Sequence, residues 1–337
     1  MNIGLFQGLV FAAAIYMLNV PASIQRSGRK IAEAACLALS LTILACSAAT
    51  VYNYYGMVCA KAADAGAVTQ TTAAVTEPPV TDHFKPAVGS AAFEPGMLER
   101  YKALYSVNPD TVGWLRVPGT SIDTAVVQSK DNNYYLRNDF YKKYTEFGNV
   151  FLDYRCDPRA LSLNTILYGH TTMSTGQAFY DLVKYKDQSF FIKNPVVEFG
   201  TLYKNYRWKV FAVFLTAADA ADDNGYFFNY IFVNTSPEKM KGYLEQARQR
   251  VFYHTGVDVK PGENILTLST CSYDYNSRGN KIDTRLVVAA RLLRAGENET
   301  VDPAAVKANP NYRRPQVWYD RRGLKNPYAG SEKWTPN

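Results

Sequence analysis

The 337-residue chain carries 37 Lys and Arg against 30 Asp and Glu, a net charge of +7, with 20% charged and 14% aromatic residues including 25 tyrosines. Such a chain has enough apolar surface for one large domain or two ordinary ones plus appendages, and is no disordered polymer. The mild basic balance suits an anionic lipid or wall surface, while a Gly-rich phosphate loop, zinc-like Cys/His spacing and nucleic-acid motifs are all missing from the sequence, which argues against a nucleic-acid partner.

Two apolar stretches open the chain, Ile3 to Val20 and Ala34 to Tyr55, separated by "QRSGRK". The second is rich in Leu, Ile and Ala and ends in "YNYY", an interfacial aromatic belt. Arg26, Arg29 and Lys30 precede it, so the positive-inside rule predicts a cytoplasmic loop there and an extracellular chain beyond residue 60. Residues 1–60 are therefore expected to anchor the protein in the cell membrane, as a helical hairpin of two spans or, with Met17 as the true start, as one signal-anchor. Residues 61–95, rich in Ala, Thr, Val and Pro and without periodicity, are expected to form a flexible extracellular tether.

The body is expected over residues 96–294. "MLERYKALYSVN" has helical spacing with Met97, Tyr101, Leu104 and Tyr105 on one side. Short strand-like runs follow: "VGWLRV", "DTAVVQ", "GNVFLDY", "NTILYGH", "VVEFGTLYKNYRWKVFAVFLTA", "ENILTLSTC" and "TRLVVAARL", divided by turn signals such as "VPGTS" and "VKPGEN". Two helices are expected among them, from Gln177 to Ile192 and from Ser236 to Phe252, the latter with an N-cap and a first-turn proline in "NTSPEKM". Many short strands with few helices predict a mainly β fold, a closed or nearly closed barrel with peripheral helices. Residues 295–337 are Pro-rich with Arg-Arg and Trp/Tyr clusters, and read either as a disordered or surface-wrapping tail or as a basic-aromatic arm for an anionic polymer.

Cysteine and histidine usage narrows the chemistry. Of five cysteines, Cys36, Cys46 and Cys59 lie in or beside the apolar N-terminus, leaving Cys156 and Cys271 in the body. That is no disulfide framework. Cys271 ends an apolar run and shares with Thr267 and Ser269 the more polar side, alternating with Leu266, Leu268 and Thr270, while Arg285 opens the next run. A thiol becomes a useful nucleophile when a cation or base favours its thiolate. Of the three histidines, His83 falls in the tether, His254 follows a helix and reads as a capping or surface residue, and His170 ends a strand. Cys271, His170 and Arg285 together supply a nucleophile, a proton carrier and an oxyanion donor. Asp274 and Asp283 read as loop solvation, and Cys156 as a plain surface thiol without a role.

On these residues the chain resembles the sortases, membrane-anchored cysteine transpeptidases of Gram-positive bacteria. "TLSTC" is similar to the family's Thr-Leu-x-Thr-Cys signature, "LYGH" to its histidine strand end and "TRLVVAARL" to its arginine strand. Residues 108–140, "GNVFLDYR" and the helix from Ser236 resemble class B. The resemblance implies a sortase-like closed β-barrel, Cys271 as nucleophile, His170 as general acid/base and Arg285 as the oxyanion cation. It implies cleavage of a C-terminal sorting motif, commonly beginning Asn-Pro in class B, through a thioacyl-enzyme. Transfer of the surface protein to an amine of a peptidoglycan cross-bridge or a pilin would follow, without metal or cofactor, as in hydrolases and acyltransferases of the thiol-protease class. The segment between Cys271 and Arg285 is long for class B and holds a second arginine, Arg278, beside glycine and asparagine. Arg285, opening a strand, is the better placed for a fixed cation. Two other functions compete: a catalytically silent, membrane-tethered binding module on the same scaffold, and a cysteine peptidase of another fold, which would place its cysteine at a helix N-terminus with an Asn or Asp partner for the histidine.

Overall fold

The structure, a computed structural model, describes residues 93, 95–172, 177–276 and 281–336. The expected membrane anchor, nearly all of the tether and Arg278 lie outside the described residues. No helix among the described residues is long and apolar enough to cross a membrane.

The chain enters through α1 (Glu99–Val107), whose Tyr101 and Leu104 are buried, as the helical spacing predicts. The strands β1 (Thr111–Arg116), β2 (Asp123–Val127), β3 (Phe151–Leu152) and β4 (Asn164–Tyr168) follow. After the short ribbon β5 (Thr171–Thr172) and β6 (Gln177–Ala178) come α2 (Gln188–Lys193), β7 (Val196–Thr201) and β8 (Arg207–Ala217). The helix α3 (Pro237–Arg250) and β9 (Tyr253–His254) precede the long strands β10 (Ile265–Ser272) and β11 (Thr284–Leu292). The chain closes with β12 (Lys307–Ala308) and α4 (Gln316–Asp320).

Eight strands form a closed barrel in the order β1-β2-β3-β4-β10-β11-β8-β7. Closure leaves no unpaired edge, which a sheet of short strands needs. β10 lies parallel to β4 and antiparallel to β11, so the ends of β4 and β10 and the start of β11 meet at one rim.

Alternation along β10 and β11 divides the core into two layers. Leu266, Leu268, Leu286 and Val288 point into the barrel with Trp208, Phe199 and Ile166. Ile265, Val287 and Ala289 point outward and are covered by Phe228, Tyr230, Phe232, Met240 and Tyr243. The polar side of β10 is therefore no solvent face: Thr267 and Ser269 are 0% and 2% exposed. Their hydroxyls are bonded instead, Thr267 Oγ1 to Asn164 Oδ1 at 2.7 Å and Ser269 Oγ to the Tyr230 hydroxyl at 2.8 Å.

Two elements differ from the sequence reading. The helix expected from Gln177 to Ile192 is broken into β6, a 3-10 turn over Tyr180–Lys186 and the six-residue α2. The break falls at Asp187, whose side chain accepts from Ser189 N and so starts a new helix. Cys156 is no surface thiol: it is 3% exposed, with Sγ 3.5 Å from Asn164 O. Burial pushes its thiol up to about 11. The helix expected from Ser236 forms as α3, with the Ser236 side chain accepting from Lys239 N and Pro237 in the first turn.

Asn164 joins the two layers. Its side-chain amide donates to Tyr230 O at 3.1 Å and Phe232 O at 2.8 Å while its oxygen accepts from Thr267. The residue is fully buried. Asn164→Ala strands a hydroxyl and two carbonyls away from water and is expected to destabilise the fold by about 3 kcal/mol, measured as a lowered urea midpoint. A loss below about 0.5 kcal/mol would mean that water replaces the amide there.

Candidate active site

Cys271 and Arg285 stand directly opposite each other across the β10–β11 ladder, one pair short of its end at Ser272 and Thr284. Because side chains alternate, residues in register share a face, so sulfur and guanidinium leave the sheet together. Both belong to the outward face that carries Ser269 and Val287 lower down. Near the rim the cover over this face ends, and Cys271 is half-buried where Ser269 is buried.

β4 brings the histidine. Tyr168 pairs with Ser269, and Gly169 N donates to Ser269 O at 3.3 Å before the two strands part. Gly169 is required by packing: a Cβ there would lie 2.8 Å from the Phe179 ring. Thr171, the residue after His170, donates its hydroxyl to Cys271 O at 2.8 Å and lies 2.6 Å from the Thr270 hydroxyl. Thr270 in turn donates to Gly169 O at 2.6 Å. This braid fixes the chain on either side of His170 against the chain on either side of Cys271.

The imidazole has a second tether. His170 Nε2 lies 2.9 Å from Leu136 O, in a 3-10 turn of the β2–β3 connection. A carbonyl only accepts, so Nε2 carries a proton and Nδ1 is left to exchange one.

Arg285 is gripped by a carboxylate that the sequence reading passed over. Asp283 takes both Nη1 and Nη2 of Arg285, the latter at 3.2 Å. Burial works against the Arg285 charge, yet the Asp283 bonds and the attraction of the Cys271 sulfur outweigh it and raise the guanidinium above its ordinary value. Asp283 and Arg285 lie two residues apart along an extended segment, which puts both on one face; that spacing was the available signal. Asp274, also read as solvation, pairs with Lys186 and accepts from Ser272 Oγ.

Tyr230 lies beneath the pair. Its phenol is buried, pushed up to about 12 by that burial, and feels both Arg285 and Cys271. Two residues before His170, Tyr168 ties β4 to the buried Asp153. That carboxylate accepts from Arg155 Nε and Nη2, from the Tyr168 hydroxyl at 2.9 Å and from Asn132 Nδ2 at 3.1 Å. Arg155 also donates to Ile231 O at 2.8 Å, next to Tyr230. Burial alone would raise the Asp153 carboxyl, but the bonds from Arg155 and Tyr168 hold it below the usual range. A cavity of about 240 Å³ opens beside Cys271, walled by Thr171, Tyr180, Val183, Tyr273 and Leu286. Its mainly apolar lining, with Lys186 and Asp274 at one side, suits an extended peptide or an incoming amine-bearing chain. No group of three or more His, Cys, Asp or Glu suited to a metal exists among the described residues.

The structure thus brings Cys271 and Arg285 into register and His170 to the neighbouring strand end. His254 lies elsewhere, on β9 opposite Lys307, with its imidazole held below its ordinary value by burial and by Arg248. The cysteine sits on a strand, which removes the alternative of a peptidase with its cysteine at a helix N-terminus.

Comparison with known proteins places this geometry. Residues 115–293 match the model of the sortase domain family. The chain is 35% identical over 195 residues to sortase B of Listeria monocytogenes, covering 58% of this chain and 74% of that protein. It is 31% identical over 196 residues to sortase B of Staphylococcus aureus, covering 58% and 75%. Among solved structures, the Staphylococcus aureus sortase B–substrate complex superposes with a TM-score of 0.51 at 30% identity, over 60% of this chain and 88% of that one. Sortase B from Bacillus anthracis in complex with AAEK1 superposes at 0.50 with 33% identity, over 59% and 86%. A family match over more than half the chain, class B relatives in sequence and in structure, and a barrel with cysteine and arginine paired at its rim lead to one conclusion: the chain belongs to the sortase family of cysteine transpeptidases, as a class B sortase.

Proposed function

We propose that the protein is a membrane-anchored enzyme of a Gram-positive cell that cleaves a C-terminal sorting motif of the Asn-Pro type and transfers the protein to an amine of the cell wall or of a pilin. The observation that carries this reading is the cross-strand register of Cys271 with Arg285. The Cys271 thiolate, its proton held on His170 Nδ1, adds to the scissile carbonyl carbon, and the oxygen that becomes negative is met by the Arg285 guanidinium. The C–N bond breaks as His170 Nδ1 gives its proton to the departing amine, leaving a thioacyl-enzyme. An acceptor amine then attacks the thioester, His170 takes its proton, and the Cys271 thiolate leaves. Arg285 serves because its guanidinium is a planar, permanently charged fork of donors for the oxyanion. The solved Staphylococcus aureus relative with bound substrate supports a sorting-motif peptide as the ligand class.

Cys271→Ala is expected to abolish cleavage of an Asn-Pro sorting peptide with the thermal melt unchanged, whereas Cys156→Ala keeps most of the activity. Brief alkylation at pH 8 with peptide mapping should label Cys271 before Cys156, whose buried thiol is pushed up to about 11. Faster labelling of Cys156 would reverse the assignment.

Arg285→Ala is expected to lower turnover on the order of a hundred- to a thousand-fold. Arg285→Lys should be severely impaired as well, since it keeps charge and loses the fork. Arg278→Ala should cost far less. Cleavage rates with an added amine decide the matter, and a dead Arg278→Ala beside an active Arg285→Ala would move the cation to position 278.

The anchoring part of the proposal rests on the basic cluster at Arg26, Arg29 and Lys30 ahead of an apolar stretch. Protease added to intact protoplasts is expected to release a soluble body by cutting between residues 61 and 95. A body protected from external protease would overturn the orientation.

A further inference from the structure

Residues 294–336 lie beyond the stretch that matches the sortase family, and no reaction step above uses them. They nevertheless fold back onto the barrel. β12 pairs with β9, Asn309 N donates to Phe252 O at 2.9 Å, and Arg313 N donates to Gln249 O at 2.7 Å. From this footing at the end of α3 the chain turns toward the catalytic strands. The guanidinium groups of Arg314 and Arg322 lie over the Trp318 ring, 4.5 and 4.3 Å from its centroid.

The stack meets the connection between β10 and β11 at both of its ends. Trp318 and Tyr275 pack edge to face, with ring centroids 6.5 Å apart, and Tyr275 is 7% exposed four residues after Cys271. On the far side, Arg321 Nη2 donates to Lys281 O at 3.5 Å, four residues before Arg285. A third contact arrives through the turn after β8. Gln316 N donates to Asp223 Oδ1 at 2.8 Å, and Ala218 N at the head of that turn donates to Asp283 O at 2.7 Å. Between these, the Asp222 carboxyl is raised by burial and by Asp219, with Arg321 opposing the rise.

The ladder alone does not secure Arg285. Asp283 lies outside β11 and its side chain is 61% exposed, and an ion pair so open to water holds geometry weakly. Catalytic donors lose on the order of a hundred-fold when displaced by about 1 Å. Terminal pairs of a ladder open more readily than central ones. An external support for the β10–β11 connection therefore has something to do.

We propose that the C-terminal segment is a positioning element of the transpeptidation, in which Trp318 and Arg321 brace the β10–β11 connection so that Asp283 presents the Arg285 guanidinium to the oxyanion. The inference rests on the role given to Arg285 above. Trp318 and Arg321 touch no substrate and act through Asp283.

The test uses the full chain with a fluorogenic Asn-Pro sorting peptide, comparing Trp318→Ala, Trp318→Phe and Arg321→Ala, each in the wild-type and in the Arg285→Ala background. Trp318→Ala and Arg321→Ala are expected to lower kcat on the order of ten-fold with KM nearly unchanged, a tenth of the loss a 1 Å displacement brings. Trp318→Phe, which keeps an aromatic ring against Tyr275, should recover most of it. In the Arg285→Ala background neither alanine variant should lower kcat further, because residues acting through one group are not additive. Amide exchange at residues 273–276 and 281–284 should quicken in both alanine variants while β1 and β2 stay protected. Arg321→Ala, at an exposed position, carries the same test should Trp318→Ala fail to fold. Equal proportional losses in both backgrounds, or unchanged exchange in the connection, would overturn the proposal while leaving the active-site reading intact. Full turnover in Arg285→Ala itself would instead sink the parent reading, and this one with it.

Discussion

Everything at the site depends on one run of backbone pairing, the antiparallel ladder from Ile265 opposite Arg291 to Ser272 opposite Thr284. Pairing with a fixed register is what turns two residues distant in sequence into one chemical unit. A slip of one position would send Cys271 into the barrel and leave Arg285 on the other face. The register is held from both sides, since Leu266 and Leu268 must enter the interior while Ile265 must meet the outer aromatic layer. The hydrophobic effect thus sets the geometry of a polar site, through residues that never touch the reacting atoms.

The second constraint is that the polar outer side of β10 is dry. Thr267 and Ser269 carry hydroxyls into a buried layer, and each must be matched. Asn164 and Tyr230 supply the matches, and in doing so fasten the segment from Tyr226 to Phe232 over the sheet. The cover stops where Cys271 begins to be exposed. Burial below and access above come from a single strand, with the sulfur at the boundary. The buried Asp153 is matched in the same way, tying Asn132, Tyr168 and, through Arg155, Ile231 to one carboxylate.

The barrel and the placing of Cys271, His170 and Arg285 at strand ends were legible in the sequence because each leaves a local mark. Alternation marks the strands, turn residues bound them, and a cysteine, a histidine and an arginine at strand ends stand out against aliphatic runs. Where the structure went beyond the sequence, the deciding forces are not local. Asp283 looks like any loop carboxylate until Arg285 is folded beside it. The tie from His170 to Leu136 uses a backbone carbonyl, which no side chain advertises. Cys156 sits among polar residues in sequence and is buried only because the β3–β4 connection turns inward against Asn164. The stretch from Gln177 to Ile192 has helical composition, but the Asp187 cap and the burial of Leu182 and Tyr185 divide it. The C-terminal residues lack any period because they fill gaps in surfaces made by other elements. Trp334, buried against Tyr243 and Phe232, reaches α3 only because Gly242 leaves room for its ring, 2.4 Å from where a Cβ would stand.

The two-sided burial of β10 and β11 also bears on how such an enzyme can change over evolutionary time. A strand with one wet face offers every second position for trial substitutions that leave folding untouched. These two strands offer almost none, so a substitution along them alters core packing and catalytic register together. Divergence in what the enzyme accepts is therefore channelled into the connections around the rim, where the β2–β3 loop, the segment before α3 and the β10–β11 turn can lengthen or change composition without disturbing the ladder. The connection between Cys271 and Arg285 is one such place, and there the C-terminal segment packs against it through Trp318 and Arg321.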